Sequence, residues 1–210
     1  MKILLSVFFL LFHSQAEKPQ LQNGDLIFQE ACTGNTDNTI KEVTSSIDGY
    51  RFTHVGIVYI DQKDSIYVIE ATHPKVKVTH LNEYLYPEGK EGCYPISVVG
   101  RLKEEYRHCI PQALEEGLKL VGKNYDYGYT LNNDTYYCSE LVYYILLKAN
   151  NGKPVFELNT MTFKSAETGE FTEGWISYYE KLNMPIPEGE PGINPGAMSR
   201  SHVIDIVGRY

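Results

Sequence analysis

The sequence lacks the motifs that mark several large enzyme classes. It has no H-E-x-x-H or C-x-x-C motif and no His/Asp cluster with metal-ligand spacing, so we expect no metal site. It also has no G-x-S-x-G nucleophile elbow and no glycine loop that would cradle a phosphate. These absences argue against metal-dependent chemistry and against a serine hydrolase of the α/β type, and we expect no cofactor.

Positive charge is also scarce. The chain has 19 Lys and Arg against 27 Asp and Glu, a net charge of −8, and its basic residues are scattered. A nucleic-acid binder needs a basic patch, so we expect no nucleic-acid partner. No lysine-rich amphipathic helix suggests a membrane surface. No stretch after the first residues is long or apolar enough to span a bilayer, so we expect no stable membrane insertion. The composition leaves the oligomeric state open.

Long apolar runs are confined to the first residues. Lys2 precedes the apolar run "ILLSVFFLLF", and small residues from Ser14 to Ala16 follow, which is the pattern of a secretory signal peptide. We therefore predict a signal peptide over residues 1–16, cleaved near Ala16, and export to the periplasm or the medium. The remaining residues, 17–210, suit a single domain, on the rule of roughly 100–200 residues per domain.

Cysteine is sparse, with only four residues: Cys32, Cys93, Cys109 and Cys138. An oxidising compartment permits disulfides, and an even number of cysteines suggests pairing. If Cys138 is a free nucleophile, at least one of the other three stays unpaired. The sequence leaves the pairing of Cys32, Cys93 and Cys109 open.

The hydrophobic patterns predict an α+β fold. "FTHVGIVYI" and "SIYVIEA" form a predicted hairpin around "DQKD", and because both runs are apolar on both faces we expect them at the centre of the sheet. Further strands are predicted in "GDLIFQ", "KVKVTH", "CYPISVVGRL" and "HVIDIVGR". Helices are predicted over Thr39–Ile47, from Pro111 to near Gly122, from Ser139 to about Ala149 and in "EGWISYYEKL", and "MPIPEGEPGINPGAM" is predicted as a loop. Helices and strands neither alternate nor segregate, which favours α+β.

Cys138 stands where a polar loop meets the predicted helix, in "NNDTYYCSELVYYIL". A helix N-terminus has unpaired N–H groups and a partial positive charge, and both favour a thiolate. The same N–H groups can stabilise the oxyanion of a carbonyl under attack. The position therefore suggests a nucleophile, and the alternative is a buried structural thiol.

A cysteine nucleophile needs a base, and His54 and Glu70 are the candidates. Each is a lone ionisable residue in an apolar strand, where an unpaired charge is costly. If Ile60 pairs with Ile66, His54 lies opposite Thr72 and Glu70 lies diagonally across on the same face. A shift by two residues pairs them directly, and only an odd shift separates them. We predict a His54–Glu70 pair serving Cys138, with a buried structural pair as the alternative.

These residues occur in motifs that resemble a known family. "GDLIF", "THVGIVY", "VIEA" and "YCSELVYY", in that order, are similar to the circularly permuted branch of the NlpC-type papain-fold enzymes, particularly the YiiX-like proteins. The motifs run from Gly24 to about Ala149, and "INPGAM" followed by "HVIDIV" resembles the C-terminal strand of that group. The resemblance therefore covers most of the chain after the predicted cleavage site.

The resemblance implies a papain-like core in which a central helix, with the cysteine at its N-terminus, packs on an antiparallel sheet. It implies Cys138 as nucleophile, His54 as base and Glu70 as the third polar residue, in permuted order. Tyr137 precedes the nucleophile as in the family motif and is predicted to bind substrate.

Two further tyrosines and one aspartate have predicted roles outside the triad. Tyr125 and Tyr127, on the approach loop, are predicted to bind substrate or donate to the oxyanion, with simple packing as the alternative. Asp25, in the "GD" of the first motif, is predicted to stabilise a turn.

We expect an exported cysteine hydrolase, an amidase or peptidase, that forms a thioacyl-enzyme on cell-wall peptides or related amides. One alternative is a lipid-directed acyltransferase or hydrolase with the same Cys/His pair. The other is a non-catalytic binding module that keeps the fold.

Overall fold

The structure is a computed structural model that describes residues 18–32, 34–89 and 92–210. The predicted signal peptide, residues 1–16, lies outside the described residues. Within the described part of the chain, no helix has both the length and the apolar composition needed to cross a membrane.

The described residues form helices and strands that do not alternate regularly along the chain. The strands are β1 Leu26–Glu30, β2 His54–Ile60, β3 Ile66–Thr72, β4 Lys75–His80, β5 Ile96–Leu102, β6 Asn159–Thr160, β7 Pro191–Gly192 and β8 Ile204–Arg209. The α-helices are α1 Asn35–Val43, α2 Leu81–Leu85, α3 Ile110–Lys119, α4 Cys138–Ala149, α5 Glu173–Leu182 and α6 Pro195–Ser199. Two 3₁₀ segments, Ile47–Gly49 and Glu104–Cys109, complete the set.

Six strands make one antiparallel sheet in the order β4-β3-β2-β1-β5-β8. The predicted hairpin is confirmed, with Ile60 opposite Ile66 and Ile57 opposite Ile69. Both strands lie inside the sheet, as their apolar character on both faces predicts. The predicted α+β class is confirmed.

Helix α4 packs on β2 and β3 and forms the centre of the main hydrophobic core. Its residues Leu141, Val142, Ile145 and Leu146 have no exposed surface and lie on one side of the helix, which is the side that faces the core. Helix α3 packs against α4, and a Cβ at Gly117 would lie 3.3 Å from Ile69 and 3.5 Å from Ile145. The tight packing fixes the N-terminus of α4 relative to the sheet.

Asp25 has the structural role that the sequence predicted for it. Its buried carboxylate accepts hydrogen bonds from Arg101 Nε at 2.7 Å and Arg101 Nη2 at 2.8 Å. It also accepts one from the Gln22 backbone N–H at 2.8 Å. The bidentate pair joins the turn before β1 to β5.

Two predicted segments differ from the structure. Helix α1 begins at Asn35 rather than Thr39, and it ends at Val43 rather than Ile47, because Thr44 is extended and its hydroxyl donates to the Ile40 carbonyl at 2.9 Å. The Pro/Gly-rich segment predicted as a loop contains β7 and the short helix α6. Asn194 caps α6 by accepting from the Ala197 N–H at 2.8 Å, and Pro195 occupies its first turn.

The cysteine pairing that the sequence left open is resolved. A disulfide joins Cys32 to Cys93, across 61 residues of sequence. Cys109 and Cys138 are free and buried. Cys32 follows β1 and Cys93 precedes β5, so the disulfide links two connecting segments at one end of the sheet.

Candidate active site

The predicted His54–Glu70 pair is present in the structure. His54 begins β2 and Glu70 lies in β3, and the imidazole Nε2 is 2.6 Å from the carboxylate Oε2. The second carboxylate oxygen accepts a hydrogen bond of 2.5 Å from the Thr79 hydroxyl. Lys77 Nζ lies 3.7 Å from the same oxygen. The buried carboxylate is therefore fully partnered, and its position relative to the imidazole is fixed.

A glycine in β2 lies across from Glu70. Continuing the observed register of β2 and β3 places Gly56 opposite Glu70. A Cβ on Gly56 would lie 2.4 Å from Val68 Cγ1 and 3.2 Å from the Ile69 carbonyl oxygen, but at an ordinary contact distance of 3.4 Å from Glu70 Cβ. A larger residue at this position would therefore press on β3, the strand that carries Glu70.

Cys138 lies near the imidazole. It is the first residue of α4, and its thiol is close enough to the His54 side chain to raise the pKa of the imidazole. Since Nε2 is engaged by Glu70, Nδ1 is the ring nitrogen left for the thiol. The structure therefore brings Cys138, His54 and Glu70 together. The imidazole has Glu70 at one nitrogen and the other nitrogen left for Cys138, which is the arrangement predicted from the sequence.

The protonation of His54 and of Glu70 follows from burial and from the groups around them. Burial lowers the pKa of His54, but its interactions with Cys138 and Glu70 outweigh this and raise that pKa to about 10. Burial raises the pKa of Glu70, but His54, Thr79 and Lys77 outweigh it and hold that pKa below its ordinary value. The imidazole therefore carries the proton at neutral pH.

Two cavities meet at these residues. His54 and Glu70 line a cleft with a volume of about 920 Å³. Cys138 lines a second cavity of about 40 Å³, here called the small pocket. Tyr125 and Tyr129 line both cavities and stand where the two adjoin.

The start of α4 is held in place by the segment that precedes α6. The Ile193 N–H donates to the Tyr137 hydroxyl at 3.2 Å, and the Ser139 hydroxyl donates to the Ile193 carbonyl at 2.9 Å. Both side chains are buried. These two hydrogen bonds flank Cys138 in sequence, so they fix the residue on each side of the thiol.

The three tyrosines predicted near the substrate occupy different places. Tyr137 lines the small pocket, and Tyr125 lines both cavities. Tyr127 is 37% exposed and lines neither cavity, and its ring packs 4.8 Å from that of His73 and 5.3 Å from that of Tyr125. Their roles in substrate binding stay predictions.

Several residues of the site were not predicted from the sequence. Thr79 could have been found from the alternation in "KVKVTH". That alternation places Thr79 on the same face of the sheet as Lys77, which lies opposite Glu70. Tyr129 and Trp175 had none, since they reach the small pocket from segments with no local motif.

Glu140 is a buried carboxyl one turn into α4. Its Oε2 accepts the Tyr137 backbone N–H at 3.3 Å, which caps the helix. Burial raises the pKa of Glu140 to about 8, and the charge of Asp126 adds to the effect, although the hydrogen bond from Tyr137 opposes it. The carboxyl is therefore largely protonated at neutral pH.

Replacing Glu140 with glutamine is expected to flatten the pH dependence of stability. The unfolded carboxyl ionises near pH 4.5 and the folded one near pH 8, so wild-type stability falls as the pH rises between these values. Glutamine keeps the acceptor for Tyr137 and removes the cost, on the order of 3–5 kcal/mol above pH 8. Urea unfolding at pH 5 and pH 9 measures this, with exposed Glu180→Gln as control. The gain in unfolding free energy of the variant over wild type should be larger at pH 9 than at pH 5. An equal gain at both pH values would contradict the raised pKa of Glu140.

The fold and the site together define the permuted papain-like class of proteins. A helix with a cysteine at its N-terminus packs on an antiparallel sheet, and the paired histidine and glutamate precede it in the chain. Residues 20–208 match the family described as permuted papain-like amidase enzymes, the YaeF/YiiX or C92 family. The chain belongs to this family, and the resemblance of its sequence motifs to the YiiX-like proteins is confirmed.

Two relatives illustrate the likeness. YiiX of Escherichia coli K12, described as an uncharacterized protein, is 31% identical over 150 residues, which are 71% of this chain and 69% of YiiX. A crystal structure described as that of the metalloprotein YiiX from Escherichia coli O157:H7 matches with a TM-score of 0.69 and 24% identity. The match covers 90% of this chain and 97% of that one and supports the fold.

The described residues offer no set of side chains that could bind a metal ion. Across residues 18–32, 34–89 and 92–210, no group of three or more His, Cys, Asp and Glu side chains is placed to hold a metal ion. The nearest His/Cys neighbours outside the triad, His108 Nε2 and Cys109 Sγ at 3.3 Å, have no third ligand of these types. The described donor set therefore does not fit a metal.

Proposed function

We propose that this protein is an exported cysteine hydrolase, an amidase or peptidase, in which Cys138 is the nucleophile, His54 the acid and base, and Glu70 the residue that positions His54. The observation that carries the proposal is the imidazole of His54 in contact with both Glu70 and Cys138. The amidase family to which the chain belongs supports the same chemistry.

The proposed reaction has two stages. The Cys138 thiolate adds to an amide carbonyl carbon, a C–S bond forms, and the oxygen takes the negative charge. Backbone N–H groups at the start of α4 stabilise that oxyanion. The C–N bond then breaks, and the leaving amine takes the proton held by His54. Water gives a proton to His54 and attacks the thioester, the C–S bond breaks, and the acid and the thiolate are released.

Glu70 acts through His54 in this scheme. The 2.6 Å contact between His54 Nε2 and Glu70 Oε2 sets the orientation of the ring and stabilises the imidazolium. The proton for the leaving amine is therefore held by His54 before the C–N bond breaks. Thr79 and Lys77 hold the carboxylate in turn. No step runs through a metal ion, because the described residues offer no set of ligands for one.

The proposed substrates are cell-wall peptides or related amides. A cleft of about 920 Å³ has room for a peptide. Its lining combines acidic residues, among them Asp37 and Glu83, with a lysine, Lys77. Such mixed charge suits a zwitterionic or multiply charged substrate better than a lipid chain. Export, which the N-terminal residues predict, would place the protein where cell-wall peptides occur.

Muropeptides provide the test. Purified protein is expected to release new amines from them, detected by labelling and mass spectrometry, while Cys138→Ala protein leaves them intact. Acyl esters and N-acyl amides of long-chain lipids run in parallel as the lipid alternative. Intact muropeptides with both proteins, alongside cleavage of the lipid amides by wild type, would overturn the cell-wall assignment.

A further inference from the structure

The small pocket lies next to the proposed nucleophile and apart from the proposed base. Cys138 is among its lining residues, whereas His54 and Glu70 line the cleft. The two cavities share a wall that includes Ile40 and Thr53 as well as the two tyrosines Tyr125 and Tyr129. The proposed nucleophile therefore borders the small pocket, whereas the proposed base and its carboxylate border the much larger cleft.

The chemistry assigns one half of the substrate to each compartment. The leaving amine takes a proton from His54, so it departs from the side of the imidazole, which is the cleft. The acyl group becomes bonded to the sulfur of Cys138, so it lies on the side of the small pocket. We propose that the small pocket binds the substituent next to the attacked carbonyl and restricts it to short, apolar groups, such as a small apolar side chain in a peptide, while the rest of a peptide substrate lies in the cleft; this inference rests on the proposed function.

The size of the small pocket sets the limit. One water-sized sphere takes roughly 10–15 Å³, so a volume of about 40 Å³ has room for a few non-hydrogen atoms. Aromatic rings confine it. The Trp175 ring packs edge-on against Phe163 at 4.9 Å and against Tyr129 at 5.7 Å. Interlocked rings resist displacement, so the pocket does not widen easily for a long chain.

The lining of the small pocket is mostly apolar. Ile40, Met161, Phe163 and Ile193 line it together with Trp175. Trp175 is 3% exposed, so its ring forms a buried wall. Such a lining favours an apolar substituent over a polar or charged one, which would lose its hydration there.

A series of p-nitrophenyl esters tests the size limit. The acetate, butyrate, hexanoate and octanoate are compared by kcat/KM, with the rate of the Cys138→Ala protein subtracted. We expect at least a tenfold preference for the acetate or butyrate over the octanoate, and an acyl-enzyme mass on Cys138. A rate that is equal or rises toward the octanoate, with the acyl-enzyme still formed, would overturn the pocket assignment alone. The absence of any acyl-enzyme would overturn the proposed function with it.

One variant tests the size limit directly. Met161→Ala enlarges the small pocket and is expected to move the optimum toward the hexanoate or octanoate. Tyr178→Phe, which removes a donor to the Tyr127 carbonyl outside the pocket, is the control and should keep the wild-type order of the esters. An unmoved optimum in a folded Met161→Ala protein would contradict the assignment.

Discussion

Replacing Cys138 with alanine is expected to lower kcat/KM by roughly 10⁴- to 10⁶-fold, the loss that follows removal of a nucleophile. No other described group at the junction of the two cavities offers a thiol, because Cys32 and Cys93 are joined and Cys109 is elsewhere. The fold should survive, since the exchange removes one buried sulfur atom and opens little space. The measurement is turnover of an ester substrate together with mass spectrometry of the trapped acyl-enzyme.

Cys109 provides the matched control for that experiment. It too is a free, buried cysteine beside a histidine, but burial raises the pKa of its thiol and its partner His108 has no carboxylate neighbour at hydrogen-bond distance. Cys109→Ala is therefore expected to retain activity, and iodoacetamide should modify Cys138 in preference to Cys109. Equal labelling of the two cysteines, or equal activity of the two variants, would refute the assignment of the nucleophile.

Replacing His54 with glutamine is expected to lower kcat/KM by about 10²- to 10⁴-fold, the usual contribution of a general acid and base. Glutamine retains some hydrogen-bonding capacity but can neither store a proton nor deliver it to the leaving amine. His202→Gln, an exposed histidine near the C-terminus, is the control for the type of exchange. A fall of less than about threefold in a folded His54→Gln protein would exclude this residue as the base.

The pH profile reports on the same pair. Because the pKa of His54 is raised to about 10, the imidazolium persists in the folded protein until the pH approaches that value. Activity should therefore decline on the alkaline side near pH 10. Glu70→Gln removes a negative charge and a hydrogen-bond acceptor, so it lowers the pKa of His54 and moves this decline to lower pH. An unmoved alkaline limb in Glu70→Gln would show that the carboxylate does not tune the imidazole.

The pairing of His54 with Glu70 could be predicted because strand geometry leaves few choices. Side chains alternate with a period of two, so any even register places both residues on one face, and two costly polar groups then satisfy each other. The position of Cys138 at a helix N-terminus could also be predicted, because the sequence changes there from a polar loop to an apolar helical run. Both features depend on short stretches of sequence, and the structure places the three side chains together.

The small pocket could not be predicted in this way. Its walls come from Ile40, Phe163, Trp175 and Ile193, in segments that are far apart in the chain and carry no shared motif. Only the packing of α1, α5 and the segment before α6 around α4 brings them together. The end of α1 was also predicted wrongly, because the Thr44 hydroxyl competes for a helical carbonyl in a manner that hydrophobic spacing does not reveal.

The disulfide between Cys32 and Cys93 has a consequence for how the protein matures. It connects the segment after β1, where Ala31 and Gly34 line the cleft, to the segment before β5, where Glu88 and Pro95 line it. Two rims of the substrate cleft are thus fastened by a bond that forms in an oxidising environment and not in the cytosol. In the export that we propose, the crosslink would form only once the protein has reached an oxidising compartment, and the rim of the cleft would be fixed there.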